Sequence, residues 1–243
     1  MSELHEAAAV GFARSAQAYE RGRPEYPAAA IQFVVGLLPE RAVILDLAAG
    51  TGKLTRPLLA AGLHVIAVEP VREMRALLPV EARPREGTAE AIPLGDGSLD
   101  AVTVGQAFHW FDGDAALREI ARVLRPGGLL ALLWNRRVDE DPVSQAIEAI
   151  LGPYRADTPA HRTGAWQAAF SRTALFSPLA EDVFDHVLEQ DADGLVARVA
   201  SISFIASLEP AERASVLERA RAIAGEGRVT IPYKTEVHSC RLL

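Results

Sequence analysis

Apolar residues along this chain follow two alternating rhythms. Val43-Ile44-Leu45, Leu63 to Val68 and Leu129 to Trp134 are short and almost continuously apolar, as strands buried on both faces must be. Leu99 to Val104 joins them, following an Asp96-Gly97 turn, with Asp100 at its start. Other stretches are apolar at every third or fourth position. Phe12, Ala16 and Tyr19 form the first, and Pro27 to about Leu38 the second, after the interruption Arg23-Pro24-Glu25-Tyr26-Pro27. Lys53 to Ala61 is a third, ended by Gly62. In Ala115 to Leu124 the residues Leu117, Ile120, Val123 and Leu124 share one face, with Asp112 placed to cap it. Val143 to Tyr154, Gly194 to Leu208 and Glu209 to Ala224 read as further helices, Pro210 suiting the first turn of the last. Arg83 to Leu94 reads as a short strand with an exit loop. Glu181 to Glu189 and Ile231 to Cys240 alternate as half-buried strands do. Strands alternating with helices predict an α/β fold around a parallel sheet.

The first strand runs into Asp46-Leu47-Ala48-Ala49-Gly50-Thr51-Gly52, a small-residue loop at the sheet's carboxyl edge, where open α/β folds bind ligands. A triphosphate loop needs G-x-x-x-x-G-K-[ST], but Leu47 stands at its first glycine and Leu54 at its last position. A dinucleotide loop needs a third glycine where Thr55 stands, and Asp46 would repel a pyrophosphate. A ligand with a cationic amino-acid end would welcome that acid. S-adenosylmethionine carries an ammonium and a sulfonium and no phosphate. Glu69, at the end of the next strand, can accept both hydroxyls of a ribose diol with its paired oxygens; otherwise it is a solvated acid at a loop start.

The run Asp46 to Gly52 resembles the first motif of class I S-adenosylmethionine-dependent methyltransferases, with Ala48 where those enzymes usually have glycine. Leu117 to Gly128, ending Arg125-Pro126-Gly127-Gly128, matches that superfamily's late motif, whose glycines are expected to make a tight turn. Gln106-Ala107-Phe108-His109-Trp110-Phe111 is similar to the matching loop of members acting on small molecules. The resemblance covers about residues 10 to 135 by motif and the remainder by pattern. It implies a Rossmann-like, seven-stranded, mostly parallel sheet with an antiparallel last strand, helices on both faces and a helical cap. It also implies a cofactor site of Asp46, Ala48, Gly50, Thr51, Gly52, Glu69, Pro70, Met74, Gln106 and Ala107. Thr88, Ala89 or Glu90 would read the adenine, and Tyr19 and Arg23 would close over the methionine end unless the aromatic residues there only pack. Tyr26, Trp110 and Asn135 are the candidates on the acceptor side.

At 243 residues the chain suits one such domain: 1–40 an N-terminal helical lid, 41–135 the cofactor core, 136–243 a half with cap helices and the last two strands. A net charge of −7 with scattered Lys and Arg argues against a nucleic-acid partner. Cys240 is the single cysteine, which rules out an internal disulfide or a cysteine metal cluster. No apolar run reaches spanning length, and Glu3 and Glu6 do not suit a signal peptide. A cytoplasmic monomer or homodimer with a small-molecule acceptor is expected.

Methyl transfer from a sulfonium is an in-line displacement, needing positioning and, for a weak nucleophile, proton removal. No His/Asp/Glu group at metal-ligand spacing is visible, so no metal is expected. His109 is the only histidine placed at the catalytic edge. It is the candidate base, its alternative being a hydrogen-bonded residue that shapes the pocket among Phe108, Trp110 and Phe111. The competing function is a cofactor-binding module without catalysis that serves as a partner or regulator.

Overall fold

The structure, a computed structural model, describes residues 16–155 and 161–243. Phe12, Glu3 and Glu6 lie outside them. Helix α1 covers 16–22, and α2 covers Ala28–Gly36 with Pro27 as its N-cap. Strands β1 (Val43–Leu47), β2 (His64–Val68), β3 (Leu99–Gly105), β4 (Leu124–Arg137), β5 (Ala180–Asp191) and β6 (Arg228–Arg241) form one sheet in the order β2-β1-β3-β4-β6-β5. The first three pairings are parallel. Strand β6 runs antiparallel to β4: Leu242 donates to Gly128 O at one end and Val138 to Pro232 O at the other. Helices α3 (Thr55–Ala60), α4 (Arg72–Arg75) and α5 (Gly113–Val123) connect the parallel strands, and α6 (Pro142–Leu151) and α7 (Ala168–Arg172) follow β4. Asp112 caps α5 by accepting from the Ala115 amide at 3.1 Å.

Alternation along the strands builds a core on each face of the parallel sheet. Leu45, Leu47, Val102, Val104, Leu130 and Leu132 pack with Ala116, Leu117, Ile120 and Val123 of α5. Ile44, Ala101, Leu129, Ala131 and Leu133 face the other way, onto α2 and α3 through Ile31, Val34, Leu54 and Leu58. The strands are apolar because both of their faces are covered.

Three expectations are corrected. The sheet has six strands, not seven, because Arg83 to Leu94 makes only isolated bridges, such as Val68 to Arg85. Arg83 sits in the left-handed region at φ 47°, and Pro84 has no amide hydrogen, so pairing cannot extend. Arg125-Pro126-Gly127-Gly128 is no tight turn between helix and strand. It lies within β4, where a step of two residues on β3 (Leu99 to Ala101) is matched by five on β4 (Leu124 to Leu129), and the extra residues bulge. The single helix expected over Gly194 to Leu208 is broken into α8 (Ala192–Ala200) and α9 (Ser203–Ala206). Ser201 turns its hydroxyl back onto Arg198 O at 2.7 Å, a local bond that competes with helix continuation.

The chain divides into two compact units. The sheet unit takes the described parts of Tyr26–Asn135, Pro159–Phe184 and Thr235–Leu243. The helical unit takes the described parts of Met1–Glu25, Arg136–Thr158 and Asp185–Lys234. In the helical unit, α6 (Pro142–Leu151), α8, α9 and α10 (Pro210–Ala224) pack through Ile147, Ile150, Leu195, Val199, Ile205 and Val216 around Ile231 and Tyr233. Among the described residues no helix is long and apolar enough to cross a membrane.

After β1 the chain winds through a left-handed loop: Ala48 at φ 55°, Gly50 at 58° and Gly52 at 94°. Only Ala48 carries a Cβ there. An L-residue in this region costs ~1–2 kcal/mol, while glycine costs ~0.5–1 kcal/mol in chain entropy. Ala48→Gly is therefore expected to stabilise the protein, by up to ~1 kcal/mol in urea unfolding. A lower unfolding midpoint would mean that the Ala48 methyl group contributes more by packing than it costs in strain.

Candidate active site

Because β1, β2, β3 and β4 run parallel, their carboxyl ends share one edge. That edge carries the loop 48–54, then Glu69, then 106–112, then Asn135, all in the sheet unit. Glu69 is not a solvated acid. It is 4% exposed, its Oε2 accepting from the Gly50 amide at 2.8 Å and its Oε1 from the Val71 amide at 2.9 Å. The carboxylate thus clamps the glycine loop to the end of β2. Burial pushes its carboxyl above the usual range, opposed by those two amides and by Arg75, whose guanidinium also donates to Glu69 O at 2.6 Å.

Asp46 lies 1% exposed at the end of β1, paired in register with Ala67 and Thr103. Thr55, in the first turn of α3, donates its hydroxyl to Asp46 Oδ2 at 2.5 Å, while Oδ1 and the buried Thr51 hydroxyl have no hydrogen-bond partner among the described residues. The Asp46 carboxyl stands raised to about 7, first by burial and then by the neighbouring charge of Glu69, with the hydrogen bonds of Thr55 and Thr103 opposing the shift. Two carboxylates under one loop make a poor cradle for phosphate and a good one for a cation.

Met74 is 4% exposed, and a Cβ on Gly50 would stand 4.0 Å from its sulfur, so it packs against the loop; Pro70 is exposed beside it. Ala89 is buried and Thr88 half-buried. Glu90 spends Oε1 on the Asp112 amide at 3.1 Å, holding the start of α5. Gln106 follows β3 in the left-handed region at φ 60°, next to Ala107, and its side-chain amide donates to Asn135 O at 3.3 Å. The Asn135 side chain accepts from Thr235 at 2.6 Å, which ties it into the sheet. Tyr26 is 8% exposed and packs in the core, its hydroxyl 2.6 Å from where a Cβ on Gly105 would stand. The last residue of β3 is glycine because that hydroxyl fills the space. Tyr19 and Arg23 belong to the helical unit, where the Arg23 guanidinium lies 4.9 Å over the Tyr19 ring and donates to Ser201.

His109 occupies a 3₁₀ turn, Phe108–Trp110. Phe108 points inward onto Phe111, Trp166 and Phe170. Trp110 stays half-buried, its ring 5.2 Å from His109. The buried Trp134 indole donates to His109 Nδ1 at 3.3 Å. A neutral ring that accepts at Nδ1 carries its proton on Nε2, so it presents a donor there. This argues against His109 as a base and for a residue that orients or walls. Sequence patterns missed Trp134, Thr55 and Thr103, because a strand residue and two threonines carry no motif that names their partners. They also missed a group that folding assembles from distant segments. His161, Glu236 and His238 bring ligand-type atoms within 4.8 Å of one another, with His161 Nε2 and Glu236 Oε2 3.4 Å apart, a set able to hold a metal ion.

A family profile for a methyltransferase domain matches residues 45–132, the span that holds the loop 48–54, Glu69 and 106–112. An uncharacterised methyltransferase of Mycobacterium tuberculosis is 39% identical over 241 residues, 93% of each chain. The chain belongs to the class I S-adenosylmethionine-dependent methyltransferases. A methyltransferase-like protein of Schizosaccharomyces pombe is 37% identical over 220 residues, 88% of this chain and 84% of its own. A solved structure from Anaeromyxobacter dehalogenans, described as a candidate type II methyltransferase, superposes with a TM-score of 0.67. It covers 91% of this chain and 98% of its own at 22% identity, which speaks for the fold alone.

In this methyltransferase the Asp46 carboxyl ties stability to pH. Folded, it holds its proton to about pH 7; unfolded, it releases it near the ordinary carboxylate value. Between those values the folded chain binds more protons, so rising pH removes stability. Asp46→Asn lacks that slope. Its unfolding free energy relative to the parent should therefore rise by roughly 1–3 kcal/mol from pH 5 to 7. A pH-independent difference would mean that Asp46 titrates normally.

Proposed function

We propose that the chain transfers a methyl group from S-adenosylmethionine to a small-molecule acceptor by in-line displacement. The observation that carries the reading is the glycine loop held by a buried carboxylate, Glu69, with a second carboxylate, Asp46, beneath it. Asp46 Oδ1 and the Thr51 hydroxyl lack hydrogen-bond partners among the described residues, and two buried acids at one loop suit a positively charged amino-acid ligand. The residues fit the cofactor. Bound there, it supplies a methyl group on a sulfonium, already activated for displacement.

The chain's own residues then have positional tasks. Glu69 keeps the loop against β2 and has lone pairs left for a ribose diol. Gln106, braced on Asn135, sets the path of the backbone where β3 ends. His109, oriented by Trp134, offers a donor and walls the acceptor side with Trp110. No group here has to take a proton, which suits an acceptor that is already nucleophilic.

Calorimetry tests the cofactor. S-adenosylmethionine should bind saturably and NAD should not. Glu69→Ala should weaken S-adenosylmethionine by roughly 1–3 kcal/mol, and Glu69→Gln, which keeps one acceptor oxygen, by less. Parent-like affinity in both variants would remove Glu69 from the site.

Turnover tests His109. As a positioning donor it is worth less than about tenfold, so His109→Ala should keep the parent's pH profile, whereas a base predicts a loss of roughly 10²–10⁴. A loss of that size, with the neutral-pH dependence abolished, would restore the base.

A further inference from the structure

Three side chains that no spacing along the chain connects meet in the sheet unit. Glu236 and His238 stand two residues apart on β6 and so share one face of the strand. Val237 between them packs the opposite way, with Ile44 and Leu129. His161 opens a 3₁₀ turn, His161–Thr163, and a second turn, Ala165–Gln167, follows it. The Trp166 indole in that second turn donates to His161 O at 3.2 Å, which fixes how the two turns sit. Aromatic rings enclose the group. Trp134 stacks on the His161 ring at 4.1 Å, and Trp166 meets the His238 ring edge-on at 5.0 Å.

Each of the three residues offers one ligand-type atom, and these atoms lie within 4.8 Å of one another. His161 Nε2 and Glu236 Oε2 are 3.4 Å apart. Two ligands of a tetrahedral zinc ion, with bonds of about 2.0–2.2 Å, stand roughly 3.3–3.6 Å apart, so this pair already spans one edge of the polyhedron. The group is built into the protein. The side chains of His161 and Glu236 are 15% and 12% exposed, and His238 is 5% exposed. His238 Nε2 is buried with no hydrogen-bond partner among the described residues. Burying a polar nitrogen with nothing to bond is costly, and coordination to a cation removes that cost. Two imidazoles with one carboxylate suit zinc and its first-row neighbours. Magnesium and calcium demand a shell of oxygens that this set does not supply.

We propose that His161, Glu236 and His238 bind a zinc-type divalent ion, with one further position open to water or a small ligand. The ion ties the two turns to β6. It also holds the His161 ring against Trp134, whose indole is hydrogen-bonded to His109 Nδ1 at 3.3 Å, and so steadies the ring that orients His109. The site stands apart from the methyl-transfer reading, which assigns none of the three residues a task.

Thermal unfolding of the untagged full chain, treated with chelator and dialysed, tests the site with zinc and magnesium chlorides. An ion held only by the folded state raises the midpoint, so zinc should raise the parent's and magnesium should not. Glu236→Gln and His238→Ala should lose the zinc response. His64→Ala, at an exposed histidine of β2, should keep it. If His238→Ala does not fold, Glu236→Gln, which keeps size and shape, carries the comparison. Equilibrium dialysis should find a single zinc ion per chain in the parent and in His64→Ala. Retention in the two ligand variants should be at least about tenfold weaker, since losing even an outer partner of a ligand costs that much.

Cobalt(II) in this place should give the intense visible absorption of a four-coordinate centre, absent from both ligand variants. The weak absorption of a six-coordinate ion would overturn the proposed geometry. No rise with zinc, or an equal rise in the parent and the ligand variants, would overturn the site and leave His161 and Glu236 as an ion pair. A magnesium response equal to that of zinc would overturn the choice of ion. Calorimetry with S-adenosylmethionine keeps the two readings separate. Its failure alongside an intact zinc response would sink methyl transfer and leave the metal site standing.

Discussion

A buried carboxylate holds the candidate site together. Glu69 stands at the end of β2 and accepts the amides of Gly50 and Val71, so the loop after β1 cannot leave its neighbouring strand without stranding a charge. The clamp has a cost, because Glu69 and Asp46 are both buried and repel each other. Thr55, Thr103 and Arg75 offset part of it. The remaining repulsion is the ground for proposing a cationic ligand at this loop.

Backbone strain accumulates at the same edge. Ala48 and Gln106, neither of them glycine, both adopt the left-handed region where parallel strands end. Each costs on the order of 1 kcal/mol and persists because the surrounding sheet over-determines the path. Gln106 recovers some of this through its bond to Asn135 O, and Asn135 is braced by Thr235. The edge is thus built from rigid strands with short, strained exits, a construction that suits positioning chemistry.

Much of the fold was legible in the sequence. Apolar runs located β1, β2, β3 and the end of β4, and helical spacing with Asp112, Pro27 and Pro210 located α5, α2 and α10. The misreadings have physical causes. Pro-Gly-Gly looks like a turn whether the chain reverses or bulges inside a strand, and only the partner strand distinguishes them. Arg83 to Leu94 has strand composition, but pairing requires a neighbour with matching amides, and Pro84 takes one away. Ser201 is an ordinary helix residue by pattern until its hydroxyl finds Arg198 O.

For the site, sequence determined which residues stand at the edge and what charge they carry: Asp46, the glycines, Glu69, Gln106 and His109. That follows because strand ends and loop composition are local properties. Tertiary structure decided what those residues are bonded to. It buried Glu69 on the Gly50 amide, set Trp134 against His109 Nδ1, and seated the Tyr26 hydroxyl over Gly105. It alone set the Arg23 guanidinium against Ser201. Hydrogen-bond partners and buried charge depend on which distant segments meet, and no periodicity along the chain encodes that meeting.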